Sequence, residues 1–169
     1  MTTISMHGAS APAFAKTLGN MINWLEAAKA HAEAKKFSTD VYLTLRLAPD
    51  MLPFVKQIQI ASDAAKSCVA RLAGQEIPKY EDNEATLDEL AERIRKTRDY
   101  VLSVPAEAID GSEDREITIP RRSGEPLKFQ GLPYLRHYAL PNFYFHATTT
   151  YALLRHAGVP LGKSDYLGG

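Results

Sequence analysis

Residues His137–Gly158, HYALPNFYFHATTTYALLRHAG, decide how the rest of the chain is read. At about 100° per residue counted from Asn142, the polar groups Asn142, His146 and Thr149 fall within about 60° of one another. Leu153 continues that stripe, and Phe145 and Ala152 flank it on one side. A helix face mixing apolar residues with one Asn and one His looks into a bundle interior rather than into water. Pro141 bends or restarts this helix. Gly158 stops it, with Pro160 beyond.

Working outward, the other segments read as walls around that helix. The spacing of Phe14, Leu18, Met21, Ile22, Leu25, Ala28 and Ala32 predicts a first helix, starting near Ser10 or Pro12 and ending at Lys35 or Lys36. Its far side carries Lys16, Asn23 and Glu26, and Lys29 sits at the edge of the apolar face. Phe37–Ala48 stays ambiguous, with Ser38 or Thr39 able to cap a short helical turn. Asp50 as cap, Pro53 in the first turn and Gly74 as stop predict a second helix. Its core face is Phe54, Ile58, Ala61, Ala65, Cys68, Val69 and Leu72, with Gln57 on the edge. Gln59 points the other way, and Asp63, Lys66 and Arg71 lie off that face.

After a polar crossing at Gln75–Ala85, Thr86 and Glu89 have the spacing of a capping box. Leu87, Leu90, Ala91, Ile94, Val101 and Leu102 then make a core stripe with Arg98 inside it. The alternation in Glu116–Pro120 and Glu125–Phe129 predicts a β-hairpin, with Ile117 and Ile119 on one face of the first strand and Leu127 and Phe129 on the second. Its tip is Arg121–Arg122, two solvated charges. An isolated hairpin is marginal in water, so its apolar face must lie on the bundle or on another subunit. The tail LGKSDYLGG has anchors at Leu161 and Tyr166–Leu167 and could fold back over the bundle.

Composition narrows the function classes. The 169 residues, 45% hydrophobic and 24% charged, suit one globular domain spanning 1–169. Twenty basic residues against twenty acidic ones leave a formal net charge of zero, which argues against nucleic acid as partner. The single cysteine, Cys68, excludes an internal disulfide and a zinc knuckle, and its place on a core face favours inert burial. The start MTTISMHGASAPAF lacks a basic head followed by an apolar run, so it is not a secretion signal. No apolar run approaches the roughly 20 residues of a membrane span. The expectation is a cytoplasmic protein without a membrane partner. A GxSxG elbow, a P-loop and a GxGxxG turn are all absent.

The segments LRLAPDMLPFVKQIQIASDAAKSCVARLAG, KYEDNEAT, EDREITIP, LPNFYFHATTTYALLRHAGVPLGKSDYLG and SMHGASAPAF together resemble the family of unknown function numbered nineteen ninety-three. That family is placed in the DinB/YfiT-like metalloenzyme superfamily. The resemblance covers almost the whole chain. It implies a mainly α fold, a DinB-like four-helix bundle with a small β-hairpin before the last helix, commonly a homodimer, and it brings no established activity. The wider superfamily typically holds a divalent metal with three histidines, one from the second helix and an HxxxH pair from the fourth. Carried over residue by residue, the second fourth-helix histidine falls on His146 and the first on Asn142. The second-helix position falls near Gln57 or Gln59, and the helical wheel favours Gln57. Gln, Asn and His thus stand where the superfamily has three His. Amide oxygens are poor zinc ligands. The trio could hold a weakly bound cation such as Zn or Ni with His146 as ligand, hydrogen-bond an organic ligand, or satisfy itself.

Each candidate also has a plain structural role. His146 fits a buried His bonded to a neighbour, Asn142 a helix cap after Pro141, and Gln57 a core-edge amide bonded to backbone or to the last helix. His137 lies about 180° from His146 on a continuous helix, and His156 suits the C-terminal dipole. His7 could fold over the bundle mouth, and His31 reads as solvated. Tyr134, Tyr138, Phe143, Tyr144, Phe145 and Tyr151 point in several directions, which favours an oligomer interface. Two functions follow. One is a dimeric small-molecule-binding or scaffold protein with a degenerate metal site and no tightly bound cofactor. The other is a transferase dependent on a divalent metal or a thiol cofactor.

Overall fold

The computed structural model describes residues 4–121 and 123–169, so Arg122 of the hairpin tip and the first three residues of the N-terminal stretch lie outside the described residues. Four long helices make the frame: α1 (Met6–Lys35), α3 (Phe54–Ala73), α4 (Leu87–Ser103) and α7 (Leu140–His156). They pack in a ring in which α1 and α3 each lie between α4 and α7. Short helices α2 (Asp40–Leu43) and α5 (Ala106–Ile109) sit in the connections. Strands β1 (Glu116–Ile119) and β2 (Leu127–Gln130) pair antiparallel, followed by the α6 turn (Gly131–Tyr134) and later by α8 (Lys163–Leu167). The fold is a four-helix bundle with a β-hairpin before its last long helix. The buried apolar side chains of all four long helices form one cluster, with Phe14, Trp24, Phe54 and Phe143 among its largest members.

Two helix starts and one core position differ from the sequence expectation. Helix α1 starts at Met6 rather than at Ser10 or Pro12, because Ser5 caps it by accepting from the Gly8 N–H. The His7 N–H, which has no intrahelical partner in a first turn, donates to Asp110 Oδ1 at 2.7 Å. Burial of Met6 and Ala11 carries the helix through Pro12, and the Ser10 hydroxyl donates back to the Met6 carbonyl. Helix α3 is capped by Pro53, not by Asp50. A residue before proline is driven to extended backbone, and the Phe54 N–H donates to the Leu45 carbonyl instead. On α4, Leu102 is 57% exposed, and Val101 and Val104 take the buried positions. The capping box of Thr86 and Glu89 forms as the spacing requires.

Chain entry into α7 is a π turn over Leu135–Ala139, closed by the Leu140 N–H donating to the Leu135 carbonyl. A π turn absorbs one extra residue, here directly before Pro141, which has no N–H to give to the helix. The hairpin pairs Ile117 with Phe129 and Ile119 with Leu127. Its apolar face lies on its own bundle, where Ile117 and Ile119 are buried and Phe129 meets Tyr134 and Tyr138. The tail folds back onto α1. Tyr166 stacks on Trp24, the Trp24 indole N–H donates to the Asp165 carbonyl, and the Asn20 amide donates to the Tyr166 carbonyl. Among the described residues, no helix is long and apolar enough to cross a membrane.

Candidate functional site

Helices α3 and α7 run antiparallel, since Gln57 meets His146 while Arg71, further along α3, meets Tyr134. Gln57 is 1% exposed and His146 9%. The Gln57 amide nitrogen donates to the Leu52 carbonyl at 2.8 Å. A carbonyl can only accept, so the amide oxygen is the atom turned toward α7. That oxygen accepts from His146 Nδ1 at 2.7 Å. The neutral imidazole is therefore the Nδ1–H tautomer, with its lone pair on Nε2. Nε2 has no hydrogen-bond partner among the described residues. Burial lowers the His146 pKa below its ordinary value and favours that neutral ring. Phe145 meets the ring edge-on, with centroids 5.1 Å apart. Thr149 and Thr150 give their hydroxyl protons to the Phe145 and His146 carbonyls of their own helix.

Asn142 is placed differently. It lies inside the helix rather than capping it, and it makes no hydrogen bond to Gln57 or His146. It borders a cleft of about 160 Å³ between α3, the π turn and β1, together with Asp63, Ser67, Arg71, Tyr134 and Tyr138. The structure thus joins two members of the trio and sets the third beside a neighbouring space. Four helical residues advance the chain by about 6 Å, enough for Asn142 and His146 to face different turns of α3. Among the described residues, no three His, Cys, Asp or Glu side chains are grouped so as to hold a metal ion. His137 and His156 are exposed. His31 is not simply solvated: its Nδ1 bonds the Tyr42 hydroxyl at 2.7 Å beside Phe37. Cys68 is fully buried, and that burial pushes its thiol up, far from thiolate formation at neutral pH.

A family model described as "Domain of unknown function (DUF1993)" matches residues 6–167. The chain belongs to the DUF1993 family. It is also similar, at 40% identity, to a DinB family member protein from Shewanella denitrificans known from a crystal structure. The match has a TM-score of 0.86 and covers 96% of this chain and 92% of that one. Among curated proteins nothing matches it.

This DUF1993 chain holds a second polar cluster that the helical wheel did not single out. Arg93 of α4, not Arg98, is the buried arginine. Its guanidinium contacts Asp63 and Asp82 through Nη2 at 3.0 and 3.1 Å and Glu84 through Nη1 at 2.9 Å. It also donates to the Glu81 carbonyl. Gln59, expected to point away from the interior, is 1% exposed and donates to Glu84 at 2.7 Å. Lys66 is equally buried, bonded to Asp63 and lying 3.8 Å over the Tyr80 ring. Arg98 instead reaches outward to Asp99. The signal was available: Arg93 lies within about 60° of Leu90 on the wheel, and the acidic run Glu81–Glu84 precedes it. The crossing Gln75–Ala85 covers this polar side of α3 and α4, so residues off the apolar face are buried all the same.

Proposed function

We propose that this DinB-like protein is a dimeric small-molecule-binding or scaffold protein whose inherited metal site is degenerate. The observation that carries the reading is the Gln57–His146 pair. The Gln57 amide is committed at both ends, to the Leu52 carbonyl and to His146 Nδ1. Asn142 faces a different cleft. One neutral ring nitrogen is left, where a catalytic zinc takes three His, Cys or carboxylate donors. The donor set therefore does not fit a tightly held Zn or Ni ion.

A metal- or thiol-dependent transferase has one feature in its favour. A ligating histidine gives its second ring N–H to an oxygen that fixes its tautomer, and Gln57 does this for His146. Metal analysis of protein purified without a histidine tag separates the two readings. The binding reading expects well under one equivalent of zinc, nickel or iron, and no change in melting temperature on adding divalent ions. Stoichiometric metal that disappears in His146→Ala would overturn the binding-only reading.

A further inference from the structure

Beyond that reading, we infer that the cleft beside Asn142 is a binding site for a small organic monocarboxylate, with Arg71 as its charged anchor. Arg71 has no carboxylate within ion-pair distance among the described residues, whereas Lys66 and Lys56 each have one and Arg93 has three. Its one side-chain partner is the Tyr134 hydroxyl, which accepts from Nη1 at 3.2 Å, and its guanidinium lies 6.0 Å from that ring's centre. These two contacts hold the planar fork in place and leave most of its N–H groups unused. An arginine fork matches a carboxylate in bidentate geometry.

The other polar groups on the cleft complete an acceptor-seeking surface. Ser67, Tyr138 and Asn142 all border it, and none of the three side chains has a hydrogen-bond partner within the protein among the described residues. The single acid on the rim, Asp63, is already neutralised by Lys66 at 2.7 Å and Arg93 at 3.0 Å. The cleft is thus left with one net positive charge, the hydroxyls of Ser67, Tyr134 and Tyr138, and an amide over a floor of Ile and Ala side chains. A monoanion matches that charge. Phosphate, with more charge and no apolar part, leaves the floor unused. About 160 Å³ suits an acid of a few carbon atoms.

The test is a titration of the ¹⁵N-labelled full chain with lactate and propionate, and separately with inorganic phosphate, at constant ionic strength. The inference expects saturable shifts confined to residues 60–71, 134–142 and the neighbourhood of Ile119 for the carboxylates, with phosphate at least about tenfold weaker. Arg71→Met, which keeps the stem over Tyr134, should weaken binding about tenfold or more, and Asn142→Ala by severalfold. Arg71→Lys should recover only part of it, since the fork is lost. His146 does not border the cleft, so His146→Ala should bind as the parent does. Should Arg71→Met lose its fold, the spectrum shows it, and Asn142→Ala with Ser67→Ala then decides the matter. Linear shifts without saturation, or equal binding of phosphate, overturn the proposal. Loss of binding in His146→Ala but not in Arg71→Met would move the ligand to His146, overturning this site while leaving the small-molecule-binding reading intact.

Discussion

Protonating His146 is harder in the folded chain than in the unfolded one, because the charged ring would have to leave water. The consequence has a definite sign. Above the ordinary histidine pKa of about 6.5, both states hold the ring neutral and it adds no pH dependence. Below that value the unfolded chain takes up a proton that the native chain resists, so stability declines as pH falls toward the lowered folded pKa. Urea midpoints measured from pH 7.5 to pH 5 should fall in the parent protein. In His146→Asn that part of the slope should vanish. Equal slopes in the two proteins would mean that the ring is already solvated. At this scale the helical wheel located Gln57 and His146 correctly, because both lie close to an apolar stripe. It missed Gln59 because burial there comes from a crossing segment, not from the bundle interior.

The crossing Gln75–Ala85 has no regular secondary structure, and its placement follows from the Arg93 cluster. Burial opposes ionisation of Glu84, yet hydrogen bonds from Arg93 and Gln59 outweigh it and hold the carboxyl below its usual range. Asp82 behaves alike, with Lys56 and Arg93 outweighing burial. Their contribution is complete above the unfolded carboxylate pKa of about 4 and is lost as pH falls through the lower folded values. Arg93→Met leaves the Glu84 carboxylate with the Gln59 amide alone and strips the Glu81 carbonyl of its side-chain donor. It should cost about 2–4 kcal/mol, read as a lower urea midpoint, with faster proteolysis within residues 75–85. A variant as stable as its parent would show that the carboxylates find water at no cost. The junction of β2 and α6 is tight for another reason. A Cβ on Gly131 would sit 1.9 Å from the Ser112 carbonyl oxygen, a backbone atom that cannot rotate aside. Gly131→Ala should therefore cost about 1–3 kcal/mol, and a neutral substitution would mean that the loop before β1 shifts freely. The hairpin and the capping box were legible because period-2 alternation and the Thr-x-x-Glu spacing are local signals. The π turn was not, since only packing on both sides of Pro141 decides where an extra residue is absorbed.

For the whole molecule the open matter is assembly. The aromatics of the last helix are largely used within the chain: Phe143 on Phe14, Tyr151 on Trp24 and Tyr166, and Tyr134 with Tyr138 on Phe129. Phe145 is the exception, 56% exposed beside Leu47 over an open apolar cleft of about 460 Å³. Such a surface is the natural contact for the proposed second copy. Light scattering at micromolar concentration should give twice the 18.7 kDa chain mass, and Phe145→Asp should halve it. A monomeric parent protein would remove the dimer from the proposed function.

The sequence alone determined the four long helices, the strand pair and most of the apolar stripe that each long helix turns inward, because those choices follow from the spacing of neighbouring residues along one chain. Only the tertiary structure decided that Arg93 and Gln59 are buried, that Asn142 parts from His146, and that most of the aromatics are already covered. Each of these depends on what a distant segment lays over a face that local periodicity marks as exposed.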